Sequence, residues 1–131
     1  MTVEEFVAHE AALPPYPGAC CVMADRWVRL RRGFSPLSRY GRLPDTDEAV
    51  RAWLAEPGGI AVAVNRVMRC AGFAKTGSPD AGDVGLILHG QACAGRHPVS
   101  LAVLGDRGWY SRNSRGLFTA PRDAVWKAWA I

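Results

Sequence analysis

The sequence predicts an α+β fold, with helices in the N-terminal half packed on a small antiparallel sheet in the C-terminal half. Three observations carry that expectation. Apolar residues recur at helical spacing up to about residue 72, as in Met23, Ala24, Trp27 and Leu30. From residue 78 the pattern changes to short apolar runs separated by turns at Gly90, Gly105-Asp106 and Asn113 to Gly116. Helices first and strands afterwards is the arrangement that segregates helices to one face of an antiparallel sheet.

Each element has a local reason. Residues 2 to 12 read as a helix capped by Thr2, with Glu5 completing a capping box and Leu13-Pro14-Pro15 stopping it. Pro17-Gly18 then turns the chain into a second helix that carries Cys20-Cys21 at its start and ends at Gly33; Asp25 and Arg29 are spaced for an i,i+4 pair. Ser35-Pro36 opens a short helical turn, because proline suits the first helical position after a capping serine. Asp45 with Glu48 suggests a second capping box before Ala49, Val50, Trp53 and Leu54, and Pro57-Gly58-Gly59 ends that helix. Ile60 to Cys70 starts with strand-like alternation, but Asn65, Arg66 and Arg69 fit an exposed helix stripe, and helix is the preferred reading. Strands are expected at Val84 to Leu88, Val99 to Leu104, Trp109 to Arg112 and Leu117 to Ala120, with Pro121 to Ile131 packing as a lid. Trp27, Trp53, Val84, Leu86, Val103 and Phe118 are the expected core.

At 131 residues the chain is long enough for one domain, 1–131, with its own core. Apolar content of 49% and charged content of 21% are those of a globular protein. A net charge of +4, mostly arginine, permits nucleic acid without requiring it, and solvated faces are the preferred account. No leader pattern and no run of about 20 apolar residues is present, so a secreted or membrane-spanning protein is not expected. Cys20, Cys21, Cys70 and Cys93 have no metal-binding spacing with the three histidines and read as free thiols in a reducing cytoplasm; no metal or cofactor is expected.

The chemistry-bearing stretch is Cys20-Cys21 at a helix N-terminus, where unpaired N–H groups and the helix dipole favour a thiolate. A cysteine there is also an ordinary core residue. Ala19-Cys20 with the apolar helix behind it, the double cysteine and Ala24-Asp25-Arg26-Trp27 resemble the active-site helix of the NlpC-type cysteine peptidases, a papain-like superfamily. The similarity is greatest to a poorly characterised phage group of it and continues through Gly82-Asp83-Val84-Gly85-Leu86-Ile87 and the closing Ala128-Trp129-Ala130-Ile131.

That resemblance implies a papain-like fold with Cys20 at the nucleophile position. It also implies that the strand Ser100-Leu101-Ala102-Val103-Leu104-Gly105 should open on the catalytic histidine, where this chain has Ser100. The orienting residue falls near Ser111, and Ala19 replaces the usual aspartate. A serine hydroxyl cannot serve as the base near neutral pH. The implied role is therefore structural: a tail tip or hub component of a phage, assembled in the host cytoplasm and carried in the virion, contacting other hub, distal-tail or tip proteins. The alternative is a cell-wall peptidase acting on peptidoglycan, with Cys20 as nucleophile and His97 as base. Trp109, Tyr110 and Arg112 on one hairpin, with Trp126 and Trp129 near the end, are the expected contact residues, since Trp, Tyr and Arg dominate binding hot spots. His9 and His89 are expected in exposed or loop positions without a special role.

Overall fold

The computed structural model describes residues 1–89 and 98–131. Five helices come first: α1 (Val3–Ala11), α2 (Ala19–Arg32), α3 (Pro36–Tyr40), α4 (Asp47–Ala55) and α5 (Gly59–Cys70). Strands β1 (Val84–Leu88), β2 (Val99–Leu104), β3 (Trp109–Asn113), β4 (Gly116–Ala120) and β5 (Val125–Trp129) follow. They form one antiparallel sheet in the order β4-β3-β2-β1-β5. Among the described residues no helix is long and apolar enough to cross a membrane.

The α1 capping box forms as the sequence indicates, with Thr2 Oγ1 accepting from Glu5 N and Thr2 N donating to Glu5. Ser35 caps α3 through Ser38 N. The cap of α4 falls one residue later than expected: Thr46, not Asp45, accepts from Ala49 N, leaving Asp47 and Glu48 in the first turn to complement the dipole. Asp25 does not reach for Arg29. It accepts from Ser35 Oγ at 2.6 Å and Leu37 N at 2.9 Å, binding α3 to the middle of α2.

The last element departs most from expectation. Residues 125–129 do not lie over the sheet as a lid but extend it, pairing with β1 through Val84–Trp129 and Gly85–Ala128. The far edge of β5 is covered by residues 74–76, which exchange backbone bonds with Ala128 and Ala130.

Strand alternation sorts the sheet into two faces. Val84, Leu86, Leu101, Val103 and Trp129 meet Phe6, Met23, Trp27 and Met68 on the helical side. Ile87, Ala102, Leu104, Trp109 and Ala128 form a second cluster on the other side, where Trp109 Nε1 donates to Arg122 O at 3.1 Å in the turn after β4. Of the expected core only Phe118 is half-buried; the other five residues are buried.

Candidate functional site

The helix α2 is built to end abruptly. Gly18 takes φ +64° at its N-cap, with no side chain satisfying the first N–H groups. A Cβ at Gly18 would also lie 1.9 Å from Pro44 O, so the turn into α2 and the loop before α4 touch backbone to backbone. Gly18→Ala should therefore displace the start of α2 and lower stability by about 1–3 kcal/mol. A loss of less than about 1 kcal/mol in urea denaturation would show that the loop yields freely.

This contact places Cys20 in the first turn of α2, at the floor of a groove of about 570 Å³. Pro17, Pro44, Val50, Trp53 and Ile60 supply apolar walls, and Tyr16, Val99, Ser100, Arg112 and Asn113 also line it. Beside the groove β2 and β3 pair through Val103–Tyr110 and Leu104–Trp109, and Ser111 Oγ continues the join to Leu101 O at 2.8 Å.

The Cys20 and Cys21 sulfurs are 3.9 Å apart. Donation from the Cys21 thiol holds the half-buried Cys20 thiol down, to about 7, against burial, which pushes it up; backbone N–H groups of Leu101, Cys21 and Cys20 itself add to the lowering. The bond to Cys20, burial and the nearby Asp25 raise Cys21 well above its ordinary value. One thiol of the pair is thus poised to ionise near neutral pH and its neighbour is not.

Among the described residues no imidazole stands beside Cys20. Val99 and Leu101 are the β2 side chains packed with Cys20 in the helical-side core. Ser100 pairs with Ile87, whose side chain belongs to the opposite cluster. There Ser100 Oγ lies 2.8 Å from His89 Nε2, and the His89 ring packs on Phe118 with centroids 4.8 Å apart. Burial lowers the His89 pKa, favouring a neutral ring. His89 thus takes a loop position after β1, as expected, but half-buried and on the face away from Cys20. Ser111, matched to the orienting residue, is fully buried and donates to Leu101 O at 2.8 Å. His97 and Cys93 lie outside the described residues.

Behind the groove sits a charged cluster that the sequence did not announce. Glu10, 2% exposed, accepts from Arg26 Nε at 2.6 Å, Arg26 Nη2 at 3.0 Å and the Tyr16 hydroxyl at 2.9 Å. Arg112, 3% exposed, lies 3.4 Å from Glu10 Oε2 and donates to the carbonyls of Glu10, Leu13 and Pro14. Burial and the Glu10 carboxylate push the Tyr16 hydroxyl up to about 12. Arg26 and Arg112 flank the Tyr16 ring, each 4.7 Å from its centroid.

That burial changes the expected contact surface. Trp109 and Trp129, 0% and 1% exposed, are core side chains, and Arg112 is committed to Glu10 and the α1–α2 loop. All three side chains are buried in this structure. Tyr110 is half-buried, and Trp126 stands 48% exposed with Lys127 Nζ 4.9 Å from its ring centroid.

Fold and groove together define a small α+β protein with an ionisable thiol at the N-terminus of its central helix and, among the described residues, no imidazole beside it. No family model, curated protein or solved structure matches the chain. Among the described residues no group of His, Cys, Asp and Glu is arranged to hold a metal ion.

Proposed function

We propose that this chain is a structural component of a phage or phage-like tail tip or hub, built on a papain-like domain of NlpC type that has lost peptidase chemistry. The observation that carries the reading is the pair Val99 and Leu101 on the strand beside Cys20, where a peptidase needs an imidazole. The nearest-matching polar residue, Ser100, is bonded to His89 on the opposite face of the sheet. With no group that titrates near neutral pH beside Cys20 among the described residues, the leaving amine is left unprotonated and the roughly 10²–10⁴-fold help of general acid–base catalysis is lost. The domain then acts through its surface. Trp126 and Tyr110 are the remaining aromatic contact points for a neighbouring hub, distal-tail or tip protein. The site of action is the virion tail, reached after assembly in the host cytoplasm.

The low pKa of Cys20 in an open groove favours a second reading, a cell-wall peptidase with Cys20 as nucleophile and His97 as base. Release of peptide from purified peptidoglycan by the wild type, Cys20→Ala and His97→Ala separates the two. The structural reading expects no release from any of them, with the chain detected by antibody in purified particles and Cys20→Ala particles assembling normally. Cleavage by wild type that both substitutions abolish would make the protein an enzyme. Absence of the chain from purified particles would remove the tail assignment.

A further inference from the structure

The groove holds two thiols that a docking role does not use. A nucleophile without a general acid cannot expel an amine, but a thiolate leaving group needs no proton. Attack on a disulfide is therefore the chemistry that remains open to Cys20 when amide cleavage is closed. We propose that Cys20 is a thiol–disulfide exchange site, which takes a small uncharged disulfide from the groove and keeps one half of it as a mixed disulfide. The inference rests on there being no general acid beside Cys20 among the described residues, the same feature that carries the proposed function.

The step balances without a further oxidant. The Cys20 thiolate attacks one sulfur of R–S–S–R, a bond forms between Cys20 Sγ and that sulfur, and the original S–S bond breaks. The other half leaves as a thiolate and takes up the proton that Cys20 had released to solvent. Cys20 is oxidised to the disulfide level, and one R–S group is reduced to the thiol.

Three features of the site suit this exchange. Donation from Cys21 and from the Leu101 N–H lets Cys20 ionise near neutral pH, where an attacking thiol is most effective. The groove of about 570 Å³ is walled by apolar side chains around the sulfur. Among the described residues the charged or titratable groups facing the pair are few: Asp25 on α2, Tyr16 in the α1–α2 loop, Asp47 on α4 and Arg112 on β3, while β2 and α5 contribute apolar side chains such as Val99, Leu101, Ile60 and Val64. Arg112, the cation that lines the groove among the described residues, is already engaged with Glu10.

The mixed disulfide is retained because Cys21 is a poor resolving thiol. Neighbouring Cα atoms are about 3.8 Å apart, below the roughly 4.4–6.8 Å that disulfides span. Val22 N donates to Gly18 O at 2.9 Å, closing the turn that contains both cysteines, so bringing the sulfurs from 3.9 Å to bonding distance would open the helix. Cys21 is also buried, and its raised pKa leaves little thiolate at neutral pH.

The test treats the full chain with 2-hydroxyethyl disulfide between about pH 5 and about pH 9, reading intact mass and mapping the modified peptide. The expected result is one hydroxyethylthio group on Cys20, formed at a rate that levels off above an inflection near about 7. At neutral pH the reaction should run about threefold faster than that of a free peptide cysteine with the ordinary value of about 8.5, the larger thiolate fraction outweighing its lower nucleophilicity. Cys21→Ala should still be thiolated at Cys20 but with the inflection moved upward, since the S–H donor is gone. Modification confined to Cys21, Cys70 or Cys93, an inflection near the ordinary value of about 8.5, or loss of two hydrogens to an internal Cys20–Cys21 bond would overturn the proposal. Peptide release from cell wall reads the general acid, and mass gain reads the thiol, so failure of one is distinguishable from failure of the other.

Discussion

Arg112→Ala should cost about 3–5 kcal/mol of folding stability, because it strips a buried carboxylate of one of its two cations and leaves three carbonyls without their donor. Glu10 and Arg112 are 2% and 3% exposed, so water does not compensate either group. Arg112 donates to the Glu10, Leu13 and Pro14 carbonyls, at the point where the chain leaves α1 and turns toward α2. Arg26 remains on both oxygens of Glu10 in the variant, but it is 39% exposed and does not replace the buried donor. Urea denaturation reads the loss directly. Arg112→Met combined with Glu10→Leu should recover part of it, since removing both charges is cheaper than orphaning one. A loss below about 1 kcal/mol for Arg112→Ala would mean that the pair contributes no more than an exposed one.

Trp27→Ala carries the other large effect, about 3–5 kcal/mol, from the volume it removes at the centre of the helical-side core. Trp27 is 1% exposed, lies 5.4 Å from the Phe6 ring and donates through Nε1 to Gly82 O at 2.8 Å. Trp27→Phe keeps most of the packing and orphans only that carbonyl, so it should cost about 1–3 kcal/mol. If the two variants unfold at the same urea concentration, the hydrogen bond rather than the volume dominates.

Most elements could be read from the chain because their signals are local. Thr2 with Glu5, Ser35 with Pro36, and Gly33 at a left-handed C-cap each act within one turn of helix. The final strand was harder, since Val125-Trp126-Lys127-Ala128-Trp129 has the alternation of a strand, yet its place is decided by the open edge of β1, which no neighbouring residue announces. The buried arginine was hidden for the same reason. Arg112 stands on a strand among residues read as surface, and its partner is on α1. A signal was nevertheless present: Glu10 falls on the stripe of Val3 and Phe6, and a carboxylate on an apolar stripe requires a cation from elsewhere in the chain. The site was partly legible. Cys20 at the start of α2 follows from Pro17-Gly18, whereas the facing of Ser100 away from it depends on strand register, where a single-residue step exchanges the two faces.

The clasp between Arg112 and Glu10 joins residues 102 positions apart. On the ribosome, where chains emerge at about 5–20 residues per second, α1 and α2 are complete several seconds before their arginine exists. During that interval Glu10 has only Arg26, and the apolar faces of α2 have no β2 or β3 beneath them. The N-terminal helices therefore spend their first seconds as a docking surface awaiting their own C-terminal half, and a nascent chain halted before residue 112 should be protease-sensitive throughout.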